Sequence, residues 1–129
     1  MVAPPTTFSE ARSYPGARRP ERSYRIDSSG VGLAVCEWGD EGAAPLLLAH
    51  GGFDFAGTFD VFAPMLAAGG WRVVSWDQRG HGDSDRAYLY SWEADLRDAA
   101  KVVATLGGAP LPFVGHSKGE TLSHNWPMQ

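Results

Sequence analysis

The sequence lacks the features that mark several classes of protein. It has a single cysteine, Cys36, which excludes an internal disulfide, and no group of cysteines and histidines has the spacing of a metal site. The longest strongly apolar run, residues 43–49, is interrupted by Pro45 and is far shorter than the ~20 residues of a membrane-spanning helix. A net charge of −4 gives no basic excess for nucleic acid. We therefore expect no nucleic acid or membrane as a partner, no cofactor or metal, and a cytoplasmic location.

The first 22 residues are rich in arginine and proline and lack the apolar stretch of a secretory signal. The prolines argue against the amphipathic helix of a targeting peptide, which is the less favoured alternative. We expect a disordered extension over residues 1–22. A domain over residues 23–119 and an atypical tail over residues 120–129 complete the expected organisation.

Strand and helix patterns alternate along the rest of the chain. The predicted strands are residues 23–27, 31–38, 46–49, 71–76 and 111–115, the first two forming a hairpin. The predicted helices are residues 55–68, ended by Gly69 and Gly70, and an amphipathic helix capped by Ser91 that ends at Gly107. Strands alternating with helices indicate an α/β fold with a mostly parallel sheet and flanking helices.

The last strand leads into Gly115-His116-Ser117-Lys118-Gly119, which has the G-x-S-x-G spacing of a nucleophilic serine. Such a serine lies on a sharp turn between a strand and a helix, where only small residues fit two positions before and after it. Ser117 is therefore the predicted nucleophile. The alternative is a glycine-rich turn whose serine is incidental.

A second glycine motif, His50-Gly51-Gly52, directly follows the strand at residues 46–49. A serine that attacks an acyl group needs N–H donors for the oxyanion. We expect these donors to be the backbone N–H groups of Gly52 and Lys118, with Phe53 as the next candidate after Gly52. The ring of His50 is expected to brace the loop, and neither it nor the Lys118 side chain is expected to act as the base.

Three sequence blocks, "LLLAHGG", "WRVVSWDQRGHGDSD" and "YSWEADLRDAAKVVATLGGAPLPFVGHSKG", occur in an order and spacing that resemble the N-terminal half of an α/β-hydrolase. The resemblance implies the serine-nucleophile branch, because Ser117 stands where haloalkane dehalogenases and epoxide hydrolases carry aspartate. It also implies that Asp77 and Arg79 fix a turn rather than react. Esterases, lactonases, carbon–carbon bond hydrolases and haloperoxidase-like proteins remain open, with a small ester-like molecule as the substrate.

The same resemblance implies that the acid and the histidine of the triad follow the nucleophile in the chain. None of the four histidines is a suitable base for Ser117, so we expect a truncated hydrolase with little activity of its own. The sequence from Glu120 onward departs from the family, and a frameshift, an alternative product or an engineered end would each explain it.

Without a sixth strand, the apolar strand from Leu111 to Val114 would be an exposed edge, through which self-association is expected. Two other functions stay open. One is a non-catalytic α/β binding or interaction module, and the other is a subunit whose catalytic histidine arrives from a partner chain.

Overall fold

A computed structural model describes residues 15–52 and 54–116, which form one mixed sheet with helices on both faces. The sheet has five strands in the order β1-β2-β4-β3-β5. The strands are β1 (Arg22–Ser28), β2 (Val31–Trp38), β3 (Ala44–Ala49), β4 (Trp71–Trp76) and β5 (Phe113–Gly115). A 3₁₀ turn, Ala56–Phe59, and helix α1, Phe62–Ala68, follow β3, and helix α2, Trp92–Thr105, follows β4.

Strands β1 and β2 form the predicted antiparallel hairpin. Its two central residues, Ser29 and Gly30, have φ angles of 51° and 88°. Positive φ at both positions is the requirement of the tight turn whose twist matches that of the strands. The turn sets a register that pairs Ser28 with Val31 and Arg22 with Glu37.

Strand β3 lies between β4 and β5 and is parallel to both, as the alternation of strands and helices predicted. Its apolar residues are buried on the two faces of the sheet in turn. Leu46 and Leu48 pack in a cluster with α1, whereas Leu47 and Ala49 pack in a larger cluster with α2. The continuous apolar run of β3 therefore reflects a strand that is covered on both sides.

The single helix predicted over residues 55–68 is instead a 3₁₀ turn followed by the short helix α1. Pro64 explains the break, because it has no N–H for the carbonyl of Asp60 and its ring would clash with that carbonyl in a continuous helix. The Asp60 carbonyl accepts a hydrogen bond from the Arg18 N–H at 2.8 Å instead. Proline is tolerated in the first turn of a helix, so α1 begins just before it.

Helix α2 begins and ends where its sequence predicts. The Ser91 hydroxyl accepts a hydrogen bond from the Ala94 N–H at 3.1 Å, which caps the first turn. At the other end, Gly107 and Gly108 have φ angles of 100° and 74°. The Gly108 N–H reaches the Val103 carbonyl at 3.1 Å, the closing bond of a glycine-ended helix.

A buried carboxylate joins the antiparallel strands. Glu37, on β2, is fully buried and accepts hydrogen bonds from Arg72 at 2.7 and 2.8 Å, from Arg22 at 3.1 Å and from the Tyr24 hydroxyl. Burial alone would raise the pKa of Glu37, but hydrogen bonds from Arg72, Tyr24 and Arg22 together lower it. The carboxylate therefore stays charged and ties β1 to β2 and β4.

The described part of the expected N-terminal extension contacts this sheet. The Arg18 carbonyl accepts a hydrogen bond from the Trp38 indole N–H at 3.0 Å, and the Glu21 N–H reaches the Glu37 carbonyl at 2.8 Å. Residues 18–21 thus pack against the domain, while the division at residues 22 and 119 stays a prediction. Among residues 15–52 and 54–116, no helix is both long and apolar enough to cross a membrane.

Candidate active site at the carboxyl edge of the parallel strands

The pairing of β3 with β5 brings the His50-Gly51-Gly52 loop and the first two residues of the second glycine motif, Gly115 and His116, to one edge of the sheet. Ala49 and Gly115 are paired, and the His116 N–H donates to the Ala49 carbonyl at 3.1 Å. The His50-Gly51-Gly52 loop therefore begins beside the residue that precedes Ser117. Ser117 and Lys118, together with Phe53 and the tail from residue 119, lie outside the described residues.

The side chain of His50 is fully buried, and both of its ring nitrogens have partners. Nε2 accepts a hydrogen bond from the Gln78 backbone N–H at 2.9 Å, and Nδ1 lies 2.6 Å from the Gly51 carbonyl oxygen. Burial lowers the pKa of His50, so the ring is neutral near pH 7. A neutral ring with both nitrogens occupied cannot take a proton from a serine, which agrees with the expected bracing role.

Gln78 is a partner of His50 that the sequence patterns did not identify. Its side chain is almost fully buried, and its Nε2 donates to the His50 carbonyl at 2.7 Å. No donor among the described residues reaches its other side-chain atom, Oε1. The only signal in the sequence is its position between Asp77 and Arg79, two residues already assigned to a turn.

Gly52 is exposed, and a Cβ placed on it would meet no atom of the described chain within 4 Å. Its φ angle is not in the left-handed region. Glycine is therefore not required here by the backbone or by crowding within the described chain. Its preceding carbonyl, that of Gly51, also accepts a hydrogen bond from the Asp54 N–H at 3.3 Å, which closes the loop into a turn.

The loop after β4 is held by its own side chains. Asp77 accepts hydrogen bonds from the Ala56 N–H at 2.7 Å and from the Asp83 N–H at 2.9 Å. Gly82 has a φ angle of 50°, and a Cβ there would lie 2.3 Å from an Asp77 oxygen, so only glycine fits. The Ser84 hydroxyl bonds to the Asp77 carbonyl and accepts the Ala34 N–H at 2.8 Å. The side chains of this loop thus hold its own backbone in place and tie it to the neighbouring segments.

Arg79 fastens this loop to helix α2 through a buried ion pair. It donates to the two carboxylate oxygens of Asp98 at 2.7 and 2.9 Å and to the Leu89 carbonyl at 2.8 Å. The hydrogen bonds that Arg79 donates to Asp98 raise the pKa of Arg79 above its ordinary value. The Ser28 hydroxyl also donates to Asp98 at 2.6 Å, which links the hairpin turn to the same carboxylate. The family resemblance implied a structural role for Arg79 but did not identify Asp98 as its partner.

The two other histidines that the structure describes are His81, in the loop after β4, and His116, directly after β5. Nδ1 of His81 lies 3.0 Å from the Arg79 carbonyl oxygen, and its ring centroid is 5.1 Å from that of His50. His116 is exposed at the end of β5. His124 lies outside the described residues. Within the ranges that the structure describes, no group of three or more metal-ligating side chains could hold a metal ion.

Comparison with known proteins agrees with this architecture. A sequence model of the family described as "Serine aminopeptidase, S33" matches residues 40–127, more than half of the chain. Epoxide hydrolase A of Mycobacterium tuberculosis is 33% identical over 106 residues, covering 80% of this chain and 33% of that protein. A non-heme haloperoxidase of Rhodococcus erythropolis is 33% identical over 93 residues, covering 71% of this chain and 33% of that protein.

Among solved structures, the thioesterase domain from the curacin biosynthetic pathway superposes with a TM-score of 0.75 at 32% identity. The match covers 78% of this chain and 38% of that domain. The chain thus spans about a third of the length of the proteins that it resembles. The family model, which matches more than half of the chain, and the solved structures of the same fold show that the chain belongs to the α/β-hydrolase family.

Proposed function

We propose that this chain is the nucleophile-bearing part of a serine hydrolase that acts on esters or related acyl compounds. Ser117 is the nucleophile in this proposal, and the N–H groups of Gly52 and Lys118 bind the oxyanion. The observation that carries the proposal is the hydrogen bond between the His116 N–H and the Ala49 carbonyl at 3.1 Å. It fixes the residue before Ser117 beside the strand end that leads to Gly52, and consecutive Cα atoms are only ~3.8 Å apart.

The substrate class follows from the nucleophile. A serine alkoxide that attacks an acyl carbon develops negative charge on the carbonyl oxygen, which two backbone N–H donors can stabilise. The relatives include proteins named as an epoxide hydrolase, a haloperoxidase and a thioesterase domain. By resemblance, epoxide hydrolases carry aspartate where this chain has Ser117. An acyl ester or thioester therefore suits the residue at this position better than an epoxide does.

The isolated chain of 129 residues is proposed to be nearly inactive. The His50 ring is buried with both nitrogens bonded, and by resemblance to the family the histidine of the triad follows the nucleophile in the chain. A serine hydroxyl without a base in hydrogen-bond reach is a weak nucleophile at neutral pH. The acid and the histidine would have to come from residues outside this chain.

The inactivity of the isolated chain and its proposed hydrolase function are tested by separate measurements. The isolated chain should hydrolyse a p-nitrophenyl ester close to the buffer rate, and Ser117→Ala should change that rate little. Turnover well above the buffer rate that Ser117→Ala abolishes would show that the chain already holds a base. A persistent activity that Ser117→Ala leaves unchanged would point to a contaminant or to another nucleophile.

The proposed hydrolase function is tested in a longer chain that supplies the acid and the histidine of the triad. A fusion that continues after Gly119 with the C-terminal part of a family relative would provide that relative's acid and histidine. We expect it to react with a fluorophosphonate probe and to hydrolyse the ester, and Ser117→Ala in the same fusion is the matched control. A folded fusion, judged by circular dichroism, that neither reacts nor hydrolyses would favour the non-catalytic interaction module.

A further inference from the structure

The Gly51–Gly52 peptide is oriented through the Gly51 carbonyl, which accepts a short hydrogen bond from the ring of His50 and a longer one, at 3.3 Å, from the Asp54 N–H. In a trans peptide, the carbonyl and the following N–H point in opposite directions, and the described chain has no cis peptide bonds. The Gly51 carbonyl points at Nδ1 of His50, 2.6 Å away, in the buried interior. The Gly52 N–H must therefore point away from the ring, on the side where Gly52 is exposed.

The proton of the His50 ring is in turn placed by Gln78. A backbone N–H can only donate, so Nε2 of His50, which faces the Gln78 N–H at 2.9 Å, carries no proton. The proton of the neutral ring is then on Nδ1, where it donates to the Gly51 carbonyl. The opposite tautomer would set two donors against each other at Nε2 and two acceptors at Nδ1. A single N–H in the loop after β4 thus selects the tautomer that orients the loop after β3.

The side chain of Gln78 makes a second hydrogen bond to His50. Its Nε2 donates to the His50 carbonyl at 2.7 Å, so Gln78 contacts both the ring and the main chain of His50. The carbonyl can only accept, which fixes the NH₂ end of the amide towards it. Gln78 lies between Asp77 and Arg79, whose contacts fasten the loop after β4 to the rest of the domain.

We propose that Gln78 and His50 are positioning residues that aim the Gly52 N–H at the substrate oxyanion. The Gln78 N–H holds the His50 ring, and the ring holds the Gly51 carbonyl. Because the peptide is planar, the direction of the Gly51 carbonyl determines the direction of the Gly52 N–H. The inference rests on the proposed function only in naming the oxyanion as the target. The tautomer and the direction of the N–H can be measured on a chain that has no activity.

Nitrogen-15 NMR of the unmodified chain at neutral pH is the first test. Nδ1 of His50 should carry the proton and Nε2 should have the shift of an unprotonated acceptor. In hydrogen exchange, the Gln78 N–H should be protected, whereas the Gly52 N–H should exchange faster by at least ~10²-fold, because it donates to no group among the described residues. A proton on Nε2, or a Gly52 N–H as protected as that of Gln78, would overturn the proposal.

A matched pair of variants separates the two ends of the ring. His50→Asn keeps a donor near the Nδ1 position, and His50→Gln keeps an acceptor near the Nε2 position. We expect His50→Asn to preserve the orientation of the Gly52 N–H, measured by residual dipolar couplings, and to lose protection at the Gln78 N–H. His50→Gln should do the reverse. A Gly52 N–H that keeps its direction in both variants would show that the ring does not orient it.

The remaining contact is tested by Gln78→Met, which keeps the backbone N–H and the length of the side chain. It should preserve the tautomer of His50 and increase exchange at the amides of the 50–52 loop, and Gln78→Asn serves as the shortened polar control. If a variant does not fold, the measurement on the unmodified chain decides. An inactive Ser117 in the fusion would refute the proposed function without changing these NMR results, and the wrong tautomer would refute the positioning role alone.

Discussion

Two loops leave the same edge of the sheet, and they are held in opposite ways. The loop after β4 is fixed by its own side chains, since Asp77 binds two backbone N–H groups and Arg79 is paired with the buried Asp98. The loop after β3 has few internal contacts, and its Gly52 faces open space. It is attached to the other loop at its two ends, at His50 through Gln78 and at Ala56, whose N–H binds Asp77.

If the loop after β3 presents the oxyanion donor, as we propose, this contrast separates a supporting loop, the one after β4, from a working loop, the one after β3. An oxyanion donor must present an N–H that no group of the protein already uses, so its loop cannot be filled with its own contacts. The precision of its direction must then come from a neighbour that is rigid. In this chain the loop after β4 supplies that rigidity, and the mutations below should separate the two roles.

The largest effect is expected where the supporting loop meets helix α2. Asp98→Ala would leave the Arg79 guanidinium buried without its carboxylate, and breaking a buried ion pair in this way costs about 3–5 kcal/mol. Urea unfolding of the isolated chain measures the loss in the free energy of unfolding. Glu93→Ala, at an exposed position in the first turn of the same helix, is the control and should cost less than about 1 kcal/mol. Equal losses for the two variants would contradict the supporting role of Arg79.

The next largest effect is the loss of stability expected when a glycine of the loop after β4 is replaced, compared with a glycine of the loop after β3. Gly82→Ala should destabilise the chain by about 2 kcal/mol or more, because its φ angle is 50° and the new Cβ would lie 2.3 Å from an Asp77 oxygen. Gly52→Ala should change the free energy of unfolding by less than about 0.5 kcal/mol, because no atom lies within 4 Å. Thermal unfolding of the two variants side by side makes the comparison. A strongly destabilising Gly52→Ala would mean that the working loop is packed rather than open.

The smallest effect is expected at the hydrogen bonds between His50 and Gln78. It appears as a dependence of the free energy of unfolding on pH. The pKa of His50 is lowered by burial in the folded chain from its usual 6.5, so the unfolded chain binds this proton first as the pH falls. The stability that the neutral ring contributes is complete above about pH 7 and is lost as the pH falls below 6.5. The slope is at most about 1.4 kcal/mol per pH unit.

The same pH dependence should be smaller in His50→Gln, which keeps an acceptor near Nε2 but does not titrate. The difference between the two chains isolates His50 from His81, Asp77 and Asp54, whose charges also act on this ring. Denaturant midpoints measured between pH 5 and 8 provide the data. Identical pH profiles in the unmodified chain and in His50→Gln would show that the ring is not held neutral by the fold.

The order of elements could be predicted because it depends on local patterns. The hairpin turn, the buried strand β3 and the cap at Ser91 are each specified by neighbouring residues, and the structure has all three. The helix predicted over residues 55–68 was wrong in its first half, because the helical spacing of Phe59, Phe62 and Leu66 takes no account of Pro64. The proline decides where α1 begins.

The sequence by itself determined the α/β alternation and the two glycine motifs, since backbone propensity, apolar spacing and the need for small residues all act over a few positions. The tertiary structure alone decided which side chains serve these motifs. Asp98, 19 residues beyond Arg79, pairs with it, and Gln78, 28 residues beyond His50, fixes its proton. The physical reason is that the proton of a buried ring and the partner of a buried charge depend on which groups the fold brings within about 3 Å.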